Sequence, residues 1–142
     1  FSARFTYAYT KEQLAKDKDG NTINNQYIPA REHAFNARMD YDHQFTKNYG
    51  LNIGLSGRYL SGVENVEYKN YYNVSEGTLT VSYPAYTIWK LSLVQRIGKA
   101  VKVNAALDNL FGYKPKYYYL NSPITDGVNL QVGLSVDIDK LF

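Results

Sequence analysis

The chain has 142 residues, enough for one modest domain, and no cysteine, which excludes a disulfide framework and a thiolate metal site. Lysine and arginine number 16 against 13 acidic residues, a mild excess that implies no nucleic-acid partner. No apolar run approaches the roughly 18 residues of a membrane-crossing helix, a criterion blind to β-strands, because only alternate residues of a barrel strand meet lipid. Residues 1–10, FSARFTYAYT, alternate at once: Phe1, Ala3, Phe5, Tyr7 and Tyr9 share one side, and Ser2, Arg4, Thr6 and Thr10 the other. The chain thus opens in mid-strand, as a piece of a longer protein would, with no signal peptide at Phe1.

A long polar loop is expected over 11–31. Lys11–Lys18 has helix-forming composition and can make a helical turn. Asp17-Lys18-Asp19-Gly20-Asn21 resembles the start of a calcium loop, but the twelfth position, which needs a bidentate Glu, is Ile28. A Gly/Asn-rich turn is the better reading. Strands are expected near 33–45 and 49–60, joined at Thr46-Lys47-Asn48 as a hairpin. Phe35, Ala37, Met39, Tyr41 and Phe45 oppose Asn36, Arg38, Asp40, Asp42 and Gln44; Leu51, Ile53 and Leu55 oppose Asn52, Ser56 and Arg58. A second long loop, rich in Tyr and Asn, covers 61–84. Strands near 86–97 and 101–110 follow, with a tight turn at Gly98-Lys99. Trp89, Leu91, Leu93 and Ile97 oppose Lys90, Ser92 and Arg96; Val101, Val103, Ala105 and Leu107 oppose Lys102, Asn104 and Asp108. A third long loop covers 111–127. The last strand, near 128–139, alternates strictly from Val128 to Ile138, and Phe142 falls in its apolar register.

Two regularities set the expected architecture. Connections alternate long, short, long, short, long, so antiparallel neighbours put every short turn at one end of the sheet and every long loop at the other. Transmembrane barrels have this asymmetry. The strands also run to roughly 10 to 13 residues, and thirteen residues tilted near 45° rise about 30 Å, the thickness of a hydrocarbon core. The apolar faces carry no Asp, Glu, Lys or Arg between the strand ends. The opposite faces carry Arg38, Asp40, Asp42, Arg58, Lys90, Arg96, Lys102 and Asp108, a mixed set suited to a wet interior. Aromatics gather at the ends of the apolar faces, as interfacial girdles do.

His33 and His43 lie on one face, ten residues apart in one strand, so they are about 33 Å apart and cannot share a haem iron. An interfacial position suits both. No Ser-His-Asp set, metal cluster or phosphate loop is present, and Gly54-Leu55-Ser56-Gly57 lacks the nucleophile-elbow spacing, so no enzyme is expected and no cofactor.

The stretch WKLSLVQRIGKAVKVNAALDNLFGYKP, then a loop and GVNLQVGLSVDIDKLF, resembles the C-terminal end of TonB-dependent outer-membrane receptors. Asp108-Asn109-Leu110-Phe111 matches the characteristic ending of a family strand, and Phe142 matches the terminal aromatic that serves as a membrane-assembly signal. The resemblance is specific over roughly the last 55 residues and less so over the first 85. It implies an all-β, antiparallel transmembrane barrel of 22 strands, of which this chain supplies about six at the C-terminal end, with the plug domain and the TonB-binding segment outside it. It implies import of a ferric siderophore, haem, cobalamin or glycan across the outer membrane of a Gram-negative bacterium. The implied partners are outer-membrane lipid, the plug and remaining strands, TonB, and a surface lipoprotein. Tyr68, Tyr71, Tyr72, Tyr117, Tyr118 and Tyr119 are the loop aromatics placed to meet substrate. A passive porin-like barrel and a soluble ligand-binding β-barrel are the alternatives.

Overall fold

A computed structural model describes residues 1–11, 16, 18–20, 30–115, 125 and 127–140. The helical turn and calcium loop considered for 11–28 lie largely outside them, as do Tyr117, Tyr118, Tyr119 and Phe142.

Six strands form one antiparallel sheet: β1 (Ser2–Tyr9), β2 (His33–Thr46), β3 (Tyr49–Leu60), β6 (Tyr86–Ile97), β7 (Val101–Asp108) and β8 (Asn129–Val136), in that spatial order. A separate hairpin, β4 (Val63–Tyr68) with β5 (Thr78–Tyr83), stands between β3 and β6 in the chain. The sheet is therefore an up-and-down meander in which every neighbour is also the next spanning strand. Short connections at Lys47-Asn48 and Gly98-Lys99-Ala100 sit side by side at one end, where the Gly98 amide donates to the Asn48 carbonyl at 2.7 Å. Gly98 has φ 63°, the left-handed conformation a tight turn requires. The three long connections leave from the opposite end.

Registers carry the alternation coherently from strand to strand. One outer row runs Met39, Leu55, Leu91, Leu107, Leu130; the next runs Tyr41, Ile53, Leu93, Ala105, Val132. Between them on the other side lies Asp40, Gly54, Ser92, Ala106, Gln131. Paired residues in an antiparallel ladder point the same way, so six separate alternations add up to one apolar and one polar surface.

No second layer covers the apolar side among the described residues. Ala37, Tyr83 and Ala100 are buried, whereas Phe5, Tyr7, Leu130, Val132 and Leu134 are 58–70% exposed. A soluble sandwich or lipocalin-like barrel would bury these side chains against an opposing layer. The exposed sheet suits a wall whose apolar side meets lipid.

The structure departs from the sequence expectation in two places. The long loop 61–84 contains the hairpin β4–β5, which continues the ribbon of β3 and β6 past a break. Pro84 has no N–H to give to a ladder, so pairing stops between Leu60↔Tyr86 and Val63↔Tyr83. The last strand ends at Val136, followed by a 3-10 turn at Ile138–Lys140. Its partner β7 starts at Val101, and the Asp137 amide makes the closing bond to the Ala100 carbonyl at 2.8 Å. Alternation beyond that point has no ladder to follow.

Candidate functional site

The polar face gathers Arg38, Asp40, Asp42, Arg58, Lys90, Arg96, Lys102 and Asp108 on one side of the sheet. Short cross-strand and same-strand pairs organise most of them. Arg38 Nε donates to Asp40 Oδ2 at 2.8 Å, two residues along the same strand. Lys90 Nζ lies 3.0 Å from Asp108 Oδ1 across β6 and β7. Arg96 reaches farther: its two terminal nitrogens donate to the two Asp42 oxygens at 2.9 Å each, a bidentate fork spanning from β6 over β3 to β2. Gly50 makes this reach possible. It pairs with Arg96, and a Cβ there would lie 2.8–2.9 Å from the guanidinium nitrogens. Lys102 pairs with Arg96 on one side and Ser135 on the other.

Glycine serves the outer face once in the same way. Gly57 pairs with Trp89, and the indole lies flat on the glycine, so that a Cβ would fall within its van der Waals surface. Trp89 also meets Phe111 edge-on, with centroids 6.4 Å apart. The aromatic thereby covers a backbone gap in the apolar wall.

The histidines occupy the ends of the outer face. Tyr7 hydroxyl and His33 Nδ1 lie 2.8 Å apart in a hydrogen bond, and the Tyr9 ring is 5.2 Å from that imidazole. His43 stacks on Tyr41 at 6.0 Å and meets Phe45 edge-on at 4.5 Å. Both belong to aromatic clusters, and no group of three metal-ligating side chains exists among the described residues.

Of the loop tyrosines, Tyr68 ends β4, and Tyr71 and Tyr72 lie in the turn that joins it to β5. Tyr71 and Tyr72 are 76% and 98% exposed, with rings edge-on at 6.4 Å. Asn70 and Asn73 each donate to Glu76 Oε1 at 3.0 Å, tying the tip into a compact turn beside them.

At the base of the loops lie Arg31, which the sequence did not single out, and Asn109, which it marked only as part of a motif. Arg31 donates through Nη1 to the Ser61 and Pro84 carbonyls, the latter at 2.9 Å. Those are acceptors on either side of the break in the ribbon. Its guanidinium also stacks 4.8 Å from the Tyr86 ring, which stacks on Tyr113 at 5.2 Å. Asn109, 4% exposed with φ 53°, ends β7. Its amide donates to the Tyr113 carbonyl at 2.7 Å, Thr125 Oγ1 at 2.9 Å and the Gly127 carbonyl at 3.1 Å, and its Oδ1 accepts from the Tyr113 amide at 2.9 Å. The start of the third loop, at Tyr113, and its end, at Thr125 and Gly127, are thus held by one side chain. Asn109 belongs to the Asp-Asn-Leu-Phe motif, so a signal for it existed in the sequence. Arg31 had none.

The sequence profile of the family described as TonB dependent receptor-like, beta-barrel, matches residues 1–110. The match covers β1 to β7 and ends inside the Asp-Asn-Leu-Phe motif, so it includes the N-terminal region where the resemblance was less specific. No curated protein and no solved structure matches the chain. With more than half its length matched, and with an open antiparallel meander of that family's two-faced construction, this chain belongs to the TonB-dependent receptor β-barrel family.

Proposed function

We propose that the chain forms part of the wall of an outer-membrane importer that takes up a scarce nutrient, with energy relayed through TonB. The observation that carries this reading is the sheet with one uncharged apolar surface and one charged surface, in a chain of the TonB-dependent receptor family. Members of that family are transporters, not enzymes, and work in the outer membrane with a plug domain and TonB. The apolar side would meet lipid. Arg38, Asp40, Asp42, Arg58, Lys90, Arg96, Lys102 and Asp108 would face the lumen and plug. The loops 11–31, 61–84 and 111–127 would lie outside the cell.

The substrate class remains a ferric siderophore, haem, cobalamin or glycan. Tyr68, Tyr71 and Tyr72 at the hairpin tip, with Tyr117, Tyr118 and Tyr119 on the third loop, are the aromatics proposed to receive it, alone or with a surface lipoprotein. Exposed rings at a loop tip suit flat or sugar-like ligands. Uptake of labelled members of the four classes by cells with and without the full-length receptor tests the reading. One class should enter in a receptor-dependent and TonB-dependent manner. Receptor-dependent uptake that persists without TonB would refute it. For the proposed assembly signal, deletion of Phe142 should lower the amount of heat-modifiable barrel in the membrane.

A further inference from the structure

We propose that the outer face holds one anionic glycerophospholipid at its short-turn end, with the phosphate between Lys47 and Lys99 and an ester carbonyl on Gln95. The inference rests on the reading of the apolar face as the lipid side. A barrel of this kind turns its short connections toward the periplasmic leaflet. The residues involved lie on β2, β3, β6 and the two short turns, and each of these strands has a neighbour on both sides in the sheet.

Gln95 marks the place. It pairs with Leu51 on one side and Val103 on the other, so it faces outward with them. It is the one carboxamide among the outward positions of β2, β3, β6 and β7. Leu93 and Ile97, its neighbours along β6 on that face, offer no polar side chain. The Gln95 side chain itself makes no hydrogen bond among the described residues. An amide at the margin of a hydrocarbon layer then needs a partner that the wall does not supply. The ester carbonyls of a glycerolipid lie at that margin, between acyl chains and headgroup. Gln95 stands about 7 Å along the strand from Ile97, the last residue of β6, and its amide can donate to such a carbonyl.

The turns supply the charge. The Gly98 amide donates to the Asn48 carbonyl at 2.7 Å, which holds Lys47 and Lys99 on adjoining turns. Both lysines are exposed, and neither makes an ion pair among the described residues. Asp42 is held by Arg96 on the inner face. Asp137 follows the outward Val136 and so takes the inner side, and Asp139 lies beyond it in the turn after β8. Two neighbouring ammonium groups repel each other and are both relieved by one phosphate. Phosphatidylglycerol keeps its negative charge, whereas the ammonium of phosphatidylethanolamine cancels it, so the lysine pair selects by net charge. His43, Phe45 and Tyr49 form a chain of rings, with centroids 4.5 and 5.7 Å apart, that walls the site on the β2 side.

The test uses the full-length receptor, delipidated in detergent and titrated with phosphatidylglycerol or phosphatidylethanolamine of the same acyl chains, with bound lipid counted by native mass spectrometry. The unaltered receptor should prefer phosphatidylglycerol by about fivefold or more. Lys47→Gln/Lys99→Gln should abolish the preference, and Lys69→Gln, the same change of charge in the hairpin, should leave it intact. Gln95→Leu should weaken both lipids and keep the preference. Heat-modifiability on a gel establishes that each variant is folded. If the double variant does not fold, Lys99→Gln alone should still lower the preference by about twofold. No preference in the unaltered receptor, or an equal preference in the folded lysine variants, overturns the proposal. A receptor dimer that Gln95→Leu dissociates would mean that a second copy covers this face, which also overturns it. The facing of the sheet is tested separately by Ile53→Arg against Asn104→Arg, so failure of the lipid site and failure of the reading it rests on can be told apart.

Discussion

Along β3 the two faces of the wall can be compared one residue apart. Ile53 lies between Tyr41 and Leu93, with Ala105 and Val132 continuing the row. Asn52 lies between Asp42 and Val94, and the neighbouring row holds Gly50 under the Asp42–Arg96 fork. On the outer side the strands present bulk and no charge. On the inner side they present small residues where a long charged side chain must cross, and charges in pairs where it lands. The difference teaches that backbone pairing is common property, while each face is built for its own solvent. A register slip of one residue would move every charge to the lipid side.

The largest effect should come from breaking the outer face at its middle. Ile53→Arg places a charge at mid-membrane and should cost about 2–4 kcal/mol of folding free energy in lipid vesicles. Ser56→Arg on the inner face should cost less, and what it costs should come from its neighbours Arg38 and Lys90 and should fall with added salt. Asn104→Arg, beside Val94 and Gly133, should cost least of the three. Urea titration of the refolded barrel gives the ranking, and an equal cost for Ile53 and Asn104 would undo the assignment of faces.

Asn109→Ala removes the acceptor and the donor that close the third loop and leaves a left-handed residue with a Cβ. A loss of about 1–3 kcal/mol is expected, together with faster proteolysis within 111–127. Asn109→Gly should recover the backbone cost but not the protection, which separates conformation from hydrogen bonding. Gly57→Leu sharpens the contrast between glycines on the same sheet. It must displace the Trp89 indole, and overpacking of that kind costs about 1–3 kcal/mol. Tryptophan fluorescence should report the new environment. Gly133→Ala, where a Cβ meets open space, should change neither stability nor fluorescence.

Arg96→Gln should have a small effect. Its pair with Asp42 is on the solvated face, so the coupling between Arg96→Gln and Asp42→Asn in a double-mutant cycle should be weak and should shrink as salt rises. A coupling insensitive to salt would mean that the pair is shielded from water in the assembled receptor.

Much of this protein was legible as sequence because the relevant physics is local. A period of two decides which side chains share a face, and a ladder of hydrogen bonds preserves that sharing between neighbours, so the alternation of 33–45, 49–60 and 86–97 was enough to separate Asp42 and Lys90 from Ile53 and Leu93. The alternation of long and short connections was enough to put the loops at one end. The β4–β5 hairpin was not legible as strand because its Tyr- and Asn-rich sequence reads as loop and Pro84 interrupts the pairing. At its base Arg31, fifty-three residues before Pro84, donates to the Pro84 carbonyl. Asn109 was visible as part of a motif, but its work depends on Tyr113, Thr125 and Gly127 being brought around it.

The sequence by itself determined the class of the protein, the two surfaces of its wall and the family it belongs to, because each of these follows from residue order along single strands. Tertiary structure decided which charges neutralise which, and that Arg31 and Asn109 hold the bases of the loops. Those outcomes depend on register and on contacts between strands and loops distant in sequence, and no periodicity along one strand carries that information.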